Sequence, residues 1–195
     1  MSKAKRTKWY IIEKTAEIFN KKGFAGTSLS ELTSATGLTK GSIYGNFENK
    51  EDVAIAAFNH NYQILIKRFA AKLSEKENSI DKLMIFLDTY EEIYEDIISM
   101  GGCPILNNTV DADDTNSRLN SLSKKAFEAW NKNIKGIILH GKEKKEIYVA
   151  IDASYYANIF IITIEGGLLL AKSTGDKAYF TDAIQHLREI VMDRF

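Results

Sequence analysis

The chain has 195 residues, 27% charged and 45% hydrophobic, the size and composition of a soluble globular protein of one or two domains. Its longest apolar run, Ile159 to Ala171, contains Glu165 and is too short to span a bilayer. No apolar stretch opens the N-terminus, and the single cysteine excludes an internal disulfide, so a cytoplasmic, membrane-free setting is expected. The net charge of zero conceals two halves: residues 1–50 carry nine Lys/Arg against four Asp/Glu, a balance of +5, and residues 51–195 carry 17 against 22, a balance of −5. A basic N-terminal module suits a polyanion, whereas the acidic remainder does not.

In chain order, the first six residues, MSKAKR, read as a basic tail that is either solvated or in contact with DNA. From Thr7 to Lys22, the spacing of Trp9, Ile12, Ala16 and Phe19 predicts an amphipathic helix that ends at the glycines around Phe24. Ser28 followed by Glu31 is a capping box, so a second helix is expected over Leu29–Thr36, stopped by Gly37. Leu29, Leu32 and Ala35 share one face of it, and Leu38 seals that face. Thr39 caps a third helix expected over 40–47, with Ile43 and Phe47 pointing inward and Lys40, Ser42, Tyr44 and Asn46 outward. A helix-turn-helix presents such a face to the DNA major groove. An ordinary surface hairpin of helices shares the cap and the turn, but not the basic charge.

Asn49 is the N-cap of the next helix, about 25 residues long and ending near Leu73. Lys50 opposes the positive end of that helix, and a nearby phosphate would explain it. After a charged connector over 72–78, a helix is expected over 80–100. It carries Leu83, Leu87, Tyr90, Tyr94 and Ile97 inside and Glu91, Glu92, Glu95 and Asp96 outside. Its aromatic face, Phe86, Tyr90 and Tyr94, reads either as plain core or as the wall of a pocket. Gly101, Gly102 and Pro104 then break the chain into an irregular segment whose Asn107, Asn108 and Thr109 either bind a ligand or cap short helices. Cys103 reads as a small buried hydrophobe or as a reactive thiol, and its own segment has no Lys or Arg to support a thiolate.

A helix over 115–140 carries Trp130 at core spacing, and Asp152 caps another that runs to about Lys172. That helix is apolar around nearly its whole circumference, so it must be covered on all sides. A second subunit is the expected cover, with Gly166 and Gly167 permitting close approach. The last helix, 176–194, adds another broad apolar stripe.

Thr27-Ser28-Leu29, the run Ala35-Thr36-Gly37-Leu38-Thr39-Lys40-Gly41-Ser42-Ile43-Tyr44, Phe47 and Asn49-Lys50-Glu51-Asp52 together resemble the DNA-binding signature of the Tet-repressor family of bacterial transcription regulators. The resemblance implies an all-α homodimer of about nine helices. In it a three-helix helix-turn-helix domain, residues 1–50, precedes a helical ligand-sensing and dimerisation domain, residues 51–195. It implies that Lys40, Ser42, Tyr44 and Asn46 face a palindromic double-stranded operator, with Thr27, Ser28 and Thr39 beside them, and that Lys50 holds a phosphate. Gly45 departs from the family pattern, which more often has a larger side chain there. The family's second domain typically holds a small hydrophobic or amphipathic effector. Tyr62, Phe86, Tyr90, Tyr94, Cys103, Asn107 and Trp130 are the candidate contacts, and dimerisation is expected through the last two helices.

The function so implied is a ligand-responsive regulator, more often a repressor, that uses no cofactor or metal. The alternatives are a redox or electrophile sensor acting through Cys103 and a DNA-binding protein whose C-terminal domain binds another protein. Catalysis is not expected. His60, His140 and His186 fall on separate predicted helices, and the chain has no phosphate loop, nucleophile elbow or His-Glu-x-x-His motif.

Overall fold

Helix formation begins earlier than the sequence suggests. In the computed structural model, which describes residues 2–195, the Ser2 hydroxyl accepts the Lys5 N–H, and α1 runs over Lys3–Lys22. The expected tail is therefore helical from Lys3 onward, and Met1 lies outside the described residues. Serine is a preferred N-cap, so the signal was present at Ser2.

Helix α2 spans Leu29–Thr36. Its capping box is complete: the Glu31 N–H donates to Ser28 Oγ at 3.2 Å and the Ser28 N–H to the Glu31 carboxylate at 2.8 Å. Gly37, in the left-handed region, closes the helix. Helix α3 spans Lys40–Tyr44 and is three residues shorter than expected. Gly45 is about 1 kcal/mol less favourable than Ala inside a helix. Beyond it, the Asn46 and Phe47 N–H groups both turn in to the Ile43 carbonyl, at 3.0 and 3.1 Å. Ile43 and Phe47 are nevertheless buried, so the inward face is the expected one.

Helix α4, Lys50–Leu73, starts at Asn49, whose side chain accepts the Asp52 N–H at 2.9 Å. The single helix expected over 80–100 is two, α5 at Ser79–Glu92 and α6 at Tyr94–Ser99, broken at Ile93. The Thr89 hydroxyl donates back to the Ile85 carbonyl at 2.6 Å just before the break, a bond that bends helices. Helix α7, Pro104–Ala112, has proline in its first turn, where the missing N–H is no loss. Helices α8, Ser117–Glu143, α9, Ala153–Thr174, and α10, Ala178–Arg194, complete the described chain. Among the described residues every regular element is an α-helix.

Two compact units result. The first holds the residues up to Leu65 together with Met100–Lys124, and the second Ile66–Ser99 with Lys125–Phe195. Helices α4 and α8 each give their N-terminal part to the first unit and their C-terminal part to the second.

In the first unit, Ile11, Phe19, Leu32, Ile43, Val53 and Leu119 form a buried core beneath the helix-turn-helix. The turn between α1 and α2 is fixed by groups from distant parts of the chain. The Phe24 N–H donates to the Asp111 carboxylate of α7 at 2.5 Å, and the Lys50 ammonium donates to the Phe24 and Thr27 carbonyls, each at 2.8 Å. The Asn20 amide donates to the carbonyls of Met100 and Gly102, and the Asn107 amide donates to those of Asn20 and Gly101. Gly23 has φ 71°, and a Cβ there would overlap the Asp111 carboxylate, so both backbone conformation and space demand glycine.

In the second unit, α9 packs along α10 through Phe160, Ile164, Phe180, Ile184 and Leu187, all buried. At Gly167 a Cβ would come within 3.2 Å of the Phe180 Cα, so the missing side chain sets the approach of the two helices. By length and composition α9 as a whole is apolar enough to cross a membrane, which its shorter unbroken apolar run does not suggest. Its inner stripe is packed on α10.

Two predictions follow from these anchors. Asp111→Ala leaves the Phe24 N–H without its acceptor and is expected to destabilise the protein by about 1–3 kcal/mol in urea unfolding; an unchanged midpoint would refute the anchor. The Glu31 carboxyl is lowered from 4.5 to about 2, first by the Lys22 ammonium and then by the Ser28 N–H. A carboxyl lowered in the folded state stabilises above its unfolded value, and the contribution is lost as pH falls through the folded one. The difference in melting temperature between wild type and Glu31→Gln should therefore be full above about pH 4.5 and shrink toward pH 2. A pH-independent difference would contradict it.

Candidate nucleic-acid interface and effector cluster

The outward face of α3 is short and free of acids. Lys40 is exposed, Ser42 and Asn46 are half-buried, and the half-buried Tyr44 packs against the core of the first unit. Thr39 caps the helix by accepting the Ser42 N–H at 3.2 Å, and both Thr39 and Ser28 remain exposed. The Asn46 amide nitrogen donates to the Ser42 carbonyl at 2.9 Å, so one end of this side chain is spent on its own helix.

Two of the expected DNA contacts sit differently. Thr27 is 1% exposed and its hydroxyl donates to the Gly23 carbonyl at 2.6 Å, which commits that group to closing the turn. The Lys50 ammonium, besides its two carbonyl bonds, lies 4.3 Å from the centre of the Phe24 ring. Its charge is held in place by the α1–α2 turn, close to the helix-turn-helix.

Residues outside the expected set complete the frame. The Tyr10 hydroxyl donates to the Thr36 carbonyl at 3.0 Å, and Lys8 lies over the Phe47 ring at 4.7 Å, tying α1 to the central turn and to the C-terminal end of the motif. Glu51 and Asp52 hold Arg118 of α8, and Glu51 also accepts the Asn116 amide at 2.8 Å. These pairings join residues tens of positions apart, and no local pattern announces them.

The seven candidate effector contacts divide between the units. Phe86, Tyr90 and Trp130 meet in the second unit, where Phe69 and Phe127 join them. Tyr90 lies 4.6 Å from Phe69 and 5.9 Å from Trp130, ring centre to ring centre. The Trp130 indole N–H is buried and has no hydrogen-bond partner among the described residues. Tyr94 stacks on Phe180 at 4.7 Å under Lys177, and burial pushes its phenol pKa up.

Tyr62, Cys103 and Asn107 belong to the first unit. Tyr62 stacks on Phe58, with its pKa also raised by burial. Asn107 is engaged in the α1 anchor. Cys103 is buried at the N-cap of α7 and its carbonyl accepts the Asn107 N–H, a position that fits packing.

This arrangement matches known proteins along its length. The family model described as bacterial regulatory proteins, tetR family, matches residues 11–57, and that described as tetracyclin repressor-like, C-terminal domain, matches residues 79–187. A TetR-family transcriptional regulator from Cytophaga hutchinsonii is 41% identical in its crystal structure, with a TM-score of 0.90 over 98% of this chain and 96% of that one. A TetR transcriptional regulator from Chloroflexus aurantiacus J-10-FL is 34% identical, with a TM-score of 0.94 over 100% and 98%. The HTH-type transcriptional repressor DhaR of Mycobacterium sp. strain GP1 is 23% identical over 84% of this chain and 81% of its own. The helix-turn-helix, its supporting α1 and the helical body are those of a regulator, and the chain belongs to the tetR family of bacterial transcriptional regulators.

Proposed function

We propose that the protein is a dimeric, cytoplasmic repressor that acts by binding and not by catalysis, and that a small hydrophobic or amphipathic effector releases it from a palindromic operator. The observation that carries this reading is α3. It is a capped helix buried through Ile43 that presents Lys40, Ser42 and Tyr44, with Asn46 just past its end, and no acid among them. In this reading residues 1–50 read DNA, with Ser28, Thr39 and Lys50 completing the contact, while residues 51–195 sense and dimerise. One short helix reaches few bases, and two held a helical turn apart reach enough to specify a site.

The outer side of α9 supports dimerisation. Tyr155, Ile159, Ile162, Gly166 and Leu169 recur at alternating four- and three-residue steps and are exposed or half-buried, Ile162 being 66% exposed. That is the seam of a helix packed on another helix, on the side opposite to the stripe that α10 covers. The aromatic cluster of the second unit supports the effector site. A pocket for such a molecule needs apolar walls and a few polar groups, and the Trp130 N–H is a buried donor in search of an acceptor. Effector binding then favours a state in which the two recognition helices no longer match the operator. By linkage the operator complex binds the effector less tightly.

Binding to a fragment from upstream of the protein's own gene is the direct assay. The wild type is expected to bind with an affinity that falls steeply with salt, and Tyr44→Ala to weaken it by about tenfold or more. Equal binding by both proteins at every salt concentration would refute the assignment of α3. In sedimentation, Ile162→Asp is expected to turn a dimer into a monomer. A wild-type monomer, or an unaltered dimer in the variant, would place the subunit contact elsewhere.

A further inference from the structure

We infer that the effector is an organic cation bearing a hydrogen-bond acceptor: Glu165 and the aromatic rings of the second unit balance its charge, and its acceptor takes the Trp130 N–H. The inference rests on the reading of that cluster as the effector site and gives the site a charge.

The first observation is the sign of the buried charge. Among the described residues Glu165, 7% exposed, is the only buried acid, and no lysine, arginine or histidine is buried. The interior therefore offers a ligand negative charge and no positive one, which selects cations and disfavours carboxylates and phosphates.

The second is the place of Glu165. Lys142, near the end of α8, donates to the Ile151 carbonyl just before α9 at 2.7 Å, so the two helices set out from a shared end. Further from that end the Asn131 amide donates to the Asn158 side chain, also at 2.7 Å. Beyond Asn131 along α8, Phe127 stands one turn away on the same face; beyond Asn158 along α9, Glu165 stands two turns away on the same face. The carboxylate is thus brought to the level of the rings.

The third is the cluster itself. Tyr90 and Phe127 both stack on Trp130, with ring centres 5.9 and 6.3 Å away, and Phe69 and Phe86 extend the group. The faces of such rings are negative and attract an ammonium group, most of all where water is excluded. Apolar packing needs neither a carboxylate nor the Trp130 N–H, which is buried without a hydrogen-bond partner among the described residues. One ligand with a cationic group and an acceptor oxygen engages both and lays its apolar remainder among the rings. A neutral ligand of the same shape meets the rings and the N–H but gains nothing from Glu165.

The test is calorimetric titration of the full chain with two probes of one shape. Choline phenyl ether carries a quaternary ammonium, an ether oxygen and a ring; phenyl neohexyl ether replaces the ammonium nitrogen by carbon. The wild type is expected to bind the cation at least about tenfold more tightly than its neutral isostere. Glu165→Gln, checked for folding by its thermal melt, should erase that preference by weakening the cation and sparing the isostere. Glu165→Asp keeps the charge and should keep the preference. Trp130→Phe should weaken both probes by a similar factor, since both carry the oxygen. A wild type that binds the isostere as tightly as the cation, or a preference that survives Glu165→Gln, would overturn the inference while leaving the cluster as the effector site. A wild type that binds neither probe would overturn both.

Discussion

The placement of the recognition helix depends on how one turn satisfies its backbone. Between α1 and α2 the chain reverses through Gly23 to Thr27, where polar backbone groups must find partners. Asp111 takes the Phe24 N–H, Lys50 takes the Phe24 and Thr27 carbonyls, and the Thr27 hydroxyl takes the Gly23 carbonyl. An unpaired backbone group in such a turn would cost about 1–3 kcal/mol, so these bonds dictate where α2, and with it α3, can sit. Two of the partners also carry charge, which makes each bond stronger than a neutral one. The DNA-reading motif is thus built on residues that the motif itself does not contain.

That dependence explains which parts of the protein can be read from its sequence. Helix α2 is legible to the residue because its signals are local: Ser28, Glu31 and Gly37 lie within ten positions of one another and each acts on its own helix. The same holds for the cap at Asn49 and for Asp152, whose side chain accepts the Ser154 and Tyr155 N–H groups. Helix α1 was legible in its apolar stripe but not in its start, because Lys3 to Arg6 look like a solvated tail until Ser2 is recognised as a cap. The break at Ile93 was not legible, since the apolar spacing runs through it unbroken and only the Thr89 hydroxyl marks the bend. In α3 the glycine at position 45 is out of pattern, and the regular helix stops just before it, at Tyr44.

The candidate sites divide in the same way. The outward set of α3 follows from helical spacing alone, and its inward partners Ile43 and Phe47 are buried as that spacing requires. The roles of Thr27 and Lys50 do not follow from spacing. No local pattern shows that Lys50 donates to two carbonyls 23 and 26 residues before it. Among the expected effector contacts, the aromatic residues that share α5 and α8 do come together. Asn107 has its amide engaged in the α1 anchor, and Cys103 is buried as the α7 N-cap. Helix α9 carries two apolar stripes: one is covered by α10, while the second, at heptad spacing and including Ile162 and Leu169, is exposed.

The Asp111–Phe24 and Asn107–Asn20 bonds tie α7 to the α1–α2 turn and to the end of α1, so these parts are expected to open as one body. Native-state hydrogen exchange with residue resolution measures this. The Phe24 amide and the amides of Leu32, Ile43 and residues 105–112 are expected to open together, with one free energy and one dependence on denaturant. Exchange of the α7 amides at a lower free energy, with Phe24 and α2 still protected, would contradict it.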